Sequence, residues 1–329
     1  MGLGELSTLL VWGATTAYAI GFVAFAIDLA HLADALGTAR GRVAAPVAVG
    51  ASGPSLPGAE TRTSGPAPRK AVGIAMATTT LALAFHGVGL VLRGLAAGRV
   101  PWANMYEFTL VGTFVAVATF LVLTRRRDLR FLGTIVVGLS VIALGLGLAV
   151  FYVPADAVEP ALQSYWLVIH VSIATIATGL LTVSFAASVL QLLKDSRLRQ
   201  LTGAGDSRHT RWPLTGRRWR MLDALPAPGE LEALSFRITA VGFVLWTFTV
   251  MAGAIWAEHA WGRYWGWDPK EVWSFVVWVV YAAYLHARTT VGWSGRRAAW
   301  FVLVGYATVI FNFTGVNLFF QGLHSYSGL

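Results

Sequence analysis

Residues 7–31, STLLVWGATTAYAIGFVAFAIDLAH, contain one charged residue, Asp28, in a run otherwise made of apolar, small and hydroxyl side chains up to the closing His31. About 20 consecutive apolar residues are enough for a helix to cross a bilayer core, so this run reads as a membrane helix. No Lys or Arg precedes it, whereas a cleaved signal peptide starts with a basic region; the helix is expected to be retained. The whole chain agrees, because its 329 residues are 56% hydrophobic and only 12% charged, with a mean hydropathy of +0.62, outside the soluble range. Further apolar runs at 71–93, 104–124, 131–152, 165–193, 236–256, 272–291 and 298–320 make eight with the first. None shows the dyad alternation of a barrel strand. The expected fold is an all-α integral membrane protein, a bundle of about eight transmembrane helices set in the lipid bilayer of the cell membrane.

Between the first helix (1–31) and a seven-helix core (71–329) lie residues 32–70, rich in Ala, Gly, Pro and Ser with Arg40, Arg42, Arg62, Arg69 and Lys70. Such a composition buries too little to order itself and predicts a flexible loop. Basic residues recur in Arg125–Arg130, in the 194–230 segment, and at Arg288, Arg296 and Arg297. Short loops rich in Lys and Arg stay on the cytoplasmic side. The 94–103 loop, the acidic 153–164 segment and the C-terminal tail alternate with these, so both termini are expected outside. The net charge of +9 and pI near 10.2 follow from these loops; no basic face with interleaved aromatics suggests nucleic acid. There is no cysteine, so any thiol in the chemistry must come from elsewhere.

On the external side by this reading lies 256–278, WAEHAWGRYWGWDPKEVWSFVVW, with six of the fourteen tryptophans. An interfacial belt does not need Trp261, Trp265 and Trp267 within one loop; rings that crowded suit a flat apolar ligand. Asp268 before Pro269, with Glu271 three residues on, is the pattern of a capped helix start with a capping box. His170 falls near the external end of the fifth span and His324 just past the eighth, both at the depth of this segment. Opposed neutral imidazoles are standard axial ligands of haem iron. His286 lies deep in the helix after Asp268, on a stripe with Phe275, Val279 and Ala282, and His86 lies inside the second span; ionisable groups there are functional candidates. His31 and His209 read as solvated loop residues and His259 as a rim residue.

The string from Trp261 to Trp273 resembles the tryptophan-rich "WWD" signature, W-G-x-Y-W-x-W-D-P-K-E-x-W, of the haem-handling membrane proteins of cytochrome c biogenesis. Flanking segments, YWLVIHV at His170, YLHAR at His286, GVNLFFQGLHSYSG at His324 and PWANMYEF at 101–108, are similar to the CcsA/ResC type of system II. The resemblance implies haem b as substrate and bound ligand, with His170 and His324 as external axial ligands and His286 as ligand to a haem still within the membrane. It implies that Trp261, Tyr264, Trp265, Trp267 and Trp273 pack on haem, and that Trp265, Trp267 and Asp268 present it rather than perform acid-base chemistry. Arg263 and Lys270 are candidates for the propionates, and His86 is a further candidate site.

The reaction the resemblance implies is addition of the thiols of an apocytochrome c CxxCH segment to the haem vinyl groups. A CcsB/ResB-type membrane protein is the implied partner, and a thioredoxin-like protein would keep the thiols reduced. Two other readings use the same residues: a haem exporter without attachment activity, and a scaffold subunit whose tryptophans dock a partner.

Overall fold

A computed structural model describes residues 1–43, 70–155, 164–203 and 213–324. It is helical throughout, in the order α1 (Leu3–Val43), α2 (Lys70–Ala97), α3 (Met105–Arg126), α4 (Gly133–Ala149), α5 (Tyr165–Leu201), α6 (Pro228–Trp261), α7 (Pro269–Thr289), α8 (Arg296–Phe313) and the short α9 (Gly315–Phe319). Among the described residues, seven helices are long and apolar enough to cross a membrane, α8 and α9 counting as one. The eighth expected span, 272–291, forms α7, which has 21 residues, about 31 Å at helical rise. Its Trp and Tyr rings and charged first turn leave it less apolar, and it lies against α8 and α6. The expected loop at 32–70 begins later than the composition suggested, because α1 continues to Val43; the Ala, Leu and Arg residues there are strong helix formers. The remainder of that loop, residues 156–163 and residues 204–212 with His209 lie outside the described residues.

Two packed groups share α5 as a common wall. One buries Tyr18, Phe25, Tyr106, Leu110, Phe120, Val136 and Leu144 among α1 to α4. The other buries Trp246, Val277, Tyr281, Val302 and Tyr306 among α5 to α8. Hydroxyls also link α5 to α6 across the apolar interior, with Ser235 Oγ 2.9 Å from Ser184 Oγ and 2.8 Å from Ser188 Oγ. Such polar contacts hold membrane helices together where apolar burial does not discriminate. A smaller cluster, Leu167, Val171 and Trp256 with Trp102 and Phe108 against it, sits between the groups at the end that carries the tryptophan segment.

That end is pinned by a buried ionic knot. Glu107, fully buried, accepts from Arg93 Nε at 2.8 Å and from Arg99 Nη1 at 2.7 Å, and Arg93 Nη2 donates to the Val153 carbonyl at 2.7 Å. Asn104 caps α3 by accepting from the Glu107 N–H at 2.9 Å. The PWANMYEF segment thus joins the end of α2, the start of α3 and the chain after α4. It holds Trp102 and Phe108 in place beside α5. At the opposite, basic end, Lys194 donates to the Leu222 and Asp223 carbonyls at 2.8 and 3.0 Å, tying the chain before α6 to α5.

Candidate functional site

The loop from α6 to α7 turns sharply. Trp267 has φ 60, the one positive φ at a non-glycine among the described residues, in the left-handed region that costs an L-residue free energy. The turn delivers Asp268 as the N-cap of α7, and the expected capping box is complete. Asp268 Oδ2 accepts from the Lys270 N–H at 3.1 Å, while Glu271 Oε2 accepts from the N–H groups of Asp268 at 3.1 Å and Gly266 at 2.8 Å. The Asp268 carboxylate does more than cap. Oδ1 accepts from the Leu323 N–H at 2.6 Å and Oδ2 lies 2.7 Å from His324 Nδ1. The backbone at 322 must approach closely for this: a Cβ on Gly322 would lie 2.3 Å from Asp268 Oδ1. Burial raises the Asp268 pKa, but bonding to His324, that imidazole's charge and the Leu323 and Lys270 N–H groups outweigh it and hold the carboxyl below its usual range.

The second histidine is fixed in a parallel way. His170 Nδ1 lies 2.9 Å from the Thr249 carbonyl of α6. Neither a carbonyl nor a carboxylate can donate, so Nδ1 carries a proton in both histidines, and in the neutral imidazole Nε2 is left with its lone pair. A second hydrogen bond of this kind orients metal-ligating imidazoles and fixes their tautomer. Gly253 makes the room: a Cβ there would lie 2.7 Å from His170 Cε1. Trp256, 1% exposed, touches both imidazoles, stacked on His170 at 6.0 Å and 14° and edge-on to His324 at 5.3 Å. Trp261 meets the His324 ring edge-on at 4.9 Å.

Both histidines line one cavity of about 280 Å³ whose wall includes Trp102, Phe108, Leu167, Trp246, Tyr264, Trp265, Lys270 and Phe313. It extends inward along α5 past Thr178 to Thr182, whose hydroxyl is 2.9 Å from that of Tyr306. A mostly apolar pocket with several aromatic rings and a few fixed polar groups is the form of a site for a flat apolar ligand. The pairs α5 with α6, and α7 with the C-terminal segment, each contribute one imidazole whose Nε2 has no hydrogen bond among the described residues.

Of the residues singled out from sequence, His170, His324, Tyr264, Trp265 and Lys270 are brought together on this wall, with Trp261 and Asp268 directly behind His324. Trp267 is 78% exposed and turned away, Trp273 packs on Phe311 at 4.3 Å, and Arg263 pairs with Glu271 at 3.5 Å. His286 is exposed on α7, on the stripe with Phe275 and Val279, and does not line the cavity. His86 is fully buried among α1 to α3, with the Tyr18 hydroxyl at 3.5 Å and the Phe114 ring edge-on at 5.6 Å. Sequence reading overlooked the α6 face made by Trp246, Thr249, Gly253 and Trp256. Its three- and four-residue spacing was the available signal.

A sequence model of the "Cytochrome C assembly protein" family matches residues 102–324, the part of the chain that builds this cavity. Among curated proteins, "Cytochrome c biogenesis protein CcsA" of Parasynechococcus marenigrum is 36% identical over 251 residues, covering 72% of this chain and 81% of that protein. Proteins of the same description from Gloeobacter violaceus and Guillardia theta are 35% and 32% identical, covering 73% and 78% of this chain and 82% and 86% of theirs. Among solved structures, "Cytochrome c Heme Lyase CcmF" superposes with a TM-score of 0.60 over 95% of this chain, at 17% identity. The chain spans 47% of that protein, and the likeness is one of fold.

Proposed function

The chain belongs to the cytochrome c assembly protein family, and from that premise we propose that it carries reduced haem across the membrane and holds it between His170 and His324 for attachment to apocytochrome c. The observation that carries this reading is the pair of imidazoles on one aromatic cavity, each with Nδ1 spent on an anchor and Nε2 free. The fit is supported by the close seat that Gly253 gives the His170 ring and by the large rings on the walls. Two imidazoles on the iron would keep oxygen from it. The basic loops would face the cytoplasm, which puts the cavity mouth and both termini outside.

Attachment needs little from the protein beyond position. Each thiol of the CxxCH segment adds across a vinyl group, forming a carbon–sulfur bond while its hydrogen ends on the other vinyl carbon, with no net change of oxidation state. This chain has no thiol, and both sulfurs belong to the substrate, kept reduced by a thioredoxin-like protein. Holding the vinyl edges within reach is then the main contribution to rate. Displacement of His170 or His324 from iron by the substrate histidine would release the product.

His286 is the proposed inner ligand. Its exposure on α7 with Phe275 and Val279 leaves that face open to a partner subunit of the CcsB/ResB type, which would supply the opposing ligand. On the same helix a short run of rings leads toward the cavity: Trp265, on the cavity wall, meets Phe275 edge-on at 6.3 Å, and Phe275 stacks on Trp278 at 5.7 Å and 6°.

Two measurements test the proposal. Cells lacking the protein and supplied with external haem should remain without mature cytochromes c; restoration by haem alone would reduce the role to export. In the purified complex with the partner, Gly253→Ala should weaken haem retention at the outer site by about 10-fold, because the new methyl displaces the His170 ring from its anchor. Unchanged bis-histidine absorbance in that variant would show that the seat of His170 against Gly253 does not set haem binding.

A further inference from the structure

Lys270 lies on the cavity wall, where burial pushes its pKa down to about 7 against the pull of the Asp268 carboxylate. Its Nζ donates to the Asn312 carbonyl at 2.7 Å and to Asn317 Oδ1 at 3.3 Å, which uses two of the three N–H donors of an ammonium group. Among the described residues no carboxylate forms an ion pair with it. Its two acidic neighbours are engaged elsewhere: Asp268 with Leu323, His324 and the Lys270 N–H, and Glu271 with Gly266, Asp268 and Arg263. Lys270 is also the second residue of α7, where the positive end of the helix dipole disfavours a cation. A charge held at such a place, in a largely apolar wall, is costly unless an anion meets it.

We propose that Lys270 is the anion seat of the cavity, pairing its ammonium with a propionate of the haem held between His170 and His324. The assignment rests on the functional reading above and separates the two basic residues of the segment. Arg263 has its carboxylate already in Glu271 and does not line the cavity. Lys270 does, and among the described residues it forms no ion pair. The consequence is orientational. Both propionates leave the macrocycle from one edge and the two vinyl groups lie away from that edge, so a fixed cation to one side of the iron axis sets the rotation of the ring about that axis. The vinyl groups are thereby turned toward the side from which the CxxCH thiols approach. Lys270 is a specificity residue for tetrapyrroles with a free carboxylate.

The test compares haem with haem dimethyl ester, in which both propionates are masked, titrated under reducing conditions into the protein purified with its partner and stripped of haem. Outer-site binding is read from the bis-histidine absorbance bands. The wild-type protein should bind haem about 10-fold or more tightly than the diester, the size of one charge-assisted hydrogen bond. Lys270→Met should reduce that ratio to about 3-fold or less while leaving diester affinity unchanged, and Lys270→Arg should preserve most of it. The assignment is overturned if wild type does not distinguish the two ligands, or if Lys270→Met weakens both equally, since that is the mark of a structural lysine. Absence of bis-histidine bands with either ligand in wild type would overturn the haem reading itself, and this assignment with it.

Discussion

Alanine at His170 or His324 is expected to abolish the bis-histidine spectrum of haem at the outer cavity and to lower cytochrome c maturation by about 100-fold or more. The two substitutions should look alike, because each imidazole supplies one of two free Nε2 atoms to the same cavity. They should also leave the fold in place. His170 is held to α6 by one hydrogen bond to the Thr249 carbonyl, and loss of a single such bond costs roughly 1 kcal/mol. His286→Ala makes the contrast. It lies on the outer stripe of α7 and not on the cavity, so that variant should empty the inner haem population and starve the outer site without altering the spectrum of whatever haem reaches it. The measurement is the reduced-haem spectrum of each protein purified with its partner, alongside the yield of mature cytochrome c. Wild-type bands and full maturation in both the His170→Ala and His324→Ala proteins would refute the ligand pair.

Much of this architecture was legible before any coordinates. Long apolar runs locate the helices, because a bilayer demands length and internally satisfied backbones, but α1, α5 and α6 run on into polar sequence beyond the expected spans 7–31, 165–193 and 236–256. The capping box at Asp268 and Glu271 was readable as a local pattern, and it is present. What could not be read is which tryptophans face inward. Trp265 and Trp267 are two residues apart, yet one lines the cavity and the other is 78% exposed, a difference set by the turn at Trp267 with its φ of 60. The part α6 plays was hidden for another reason. Thr249 acts through its carbonyl and Gly253 through having no side chain, and neither leaves a chemical signature in sequence. Asp268 was legible as a cap only, since its contact with His324 spans 56 positions in the chain.

That second role of Asp268 gives the other large expected effect. Asn is as good an N-cap as Asp, so Asp268→Asn should leave α7 started while removing the negative charge behind His324 and turning an amide N–H₂ toward either the Leu323 N–H or His324 Nδ1, where two acceptors stand now. Disturbing the orienting partner of a ligating histidine typically costs 10- to 100-fold in affinity, and a loss of about that size is expected at the outer site, with the melting temperature nearly unchanged. Asp268→Ala should show the same loss and in addition destabilise the protein by about 1 kcal/mol, the worth of a cap. Acid titration separates charge from geometry. The folded-state pKa of Asp268 is depressed, so its carboxylate contributes in full above the unfolded value of about 4 and loses that contribution as pH falls through the lower folded value. Both proteins lose outer-site absorbance in acid as the imidazoles protonate; wild type should in addition lose the Asp268 contribution below about pH 4, whereas the Asn variant should start lower and lack that added loss. Equal affinities for wild type and Asp268→Asn at pH 7 would confine Asp268 to capping and leave the orientation of His324 to the edge contacts of Trp256 and Trp261.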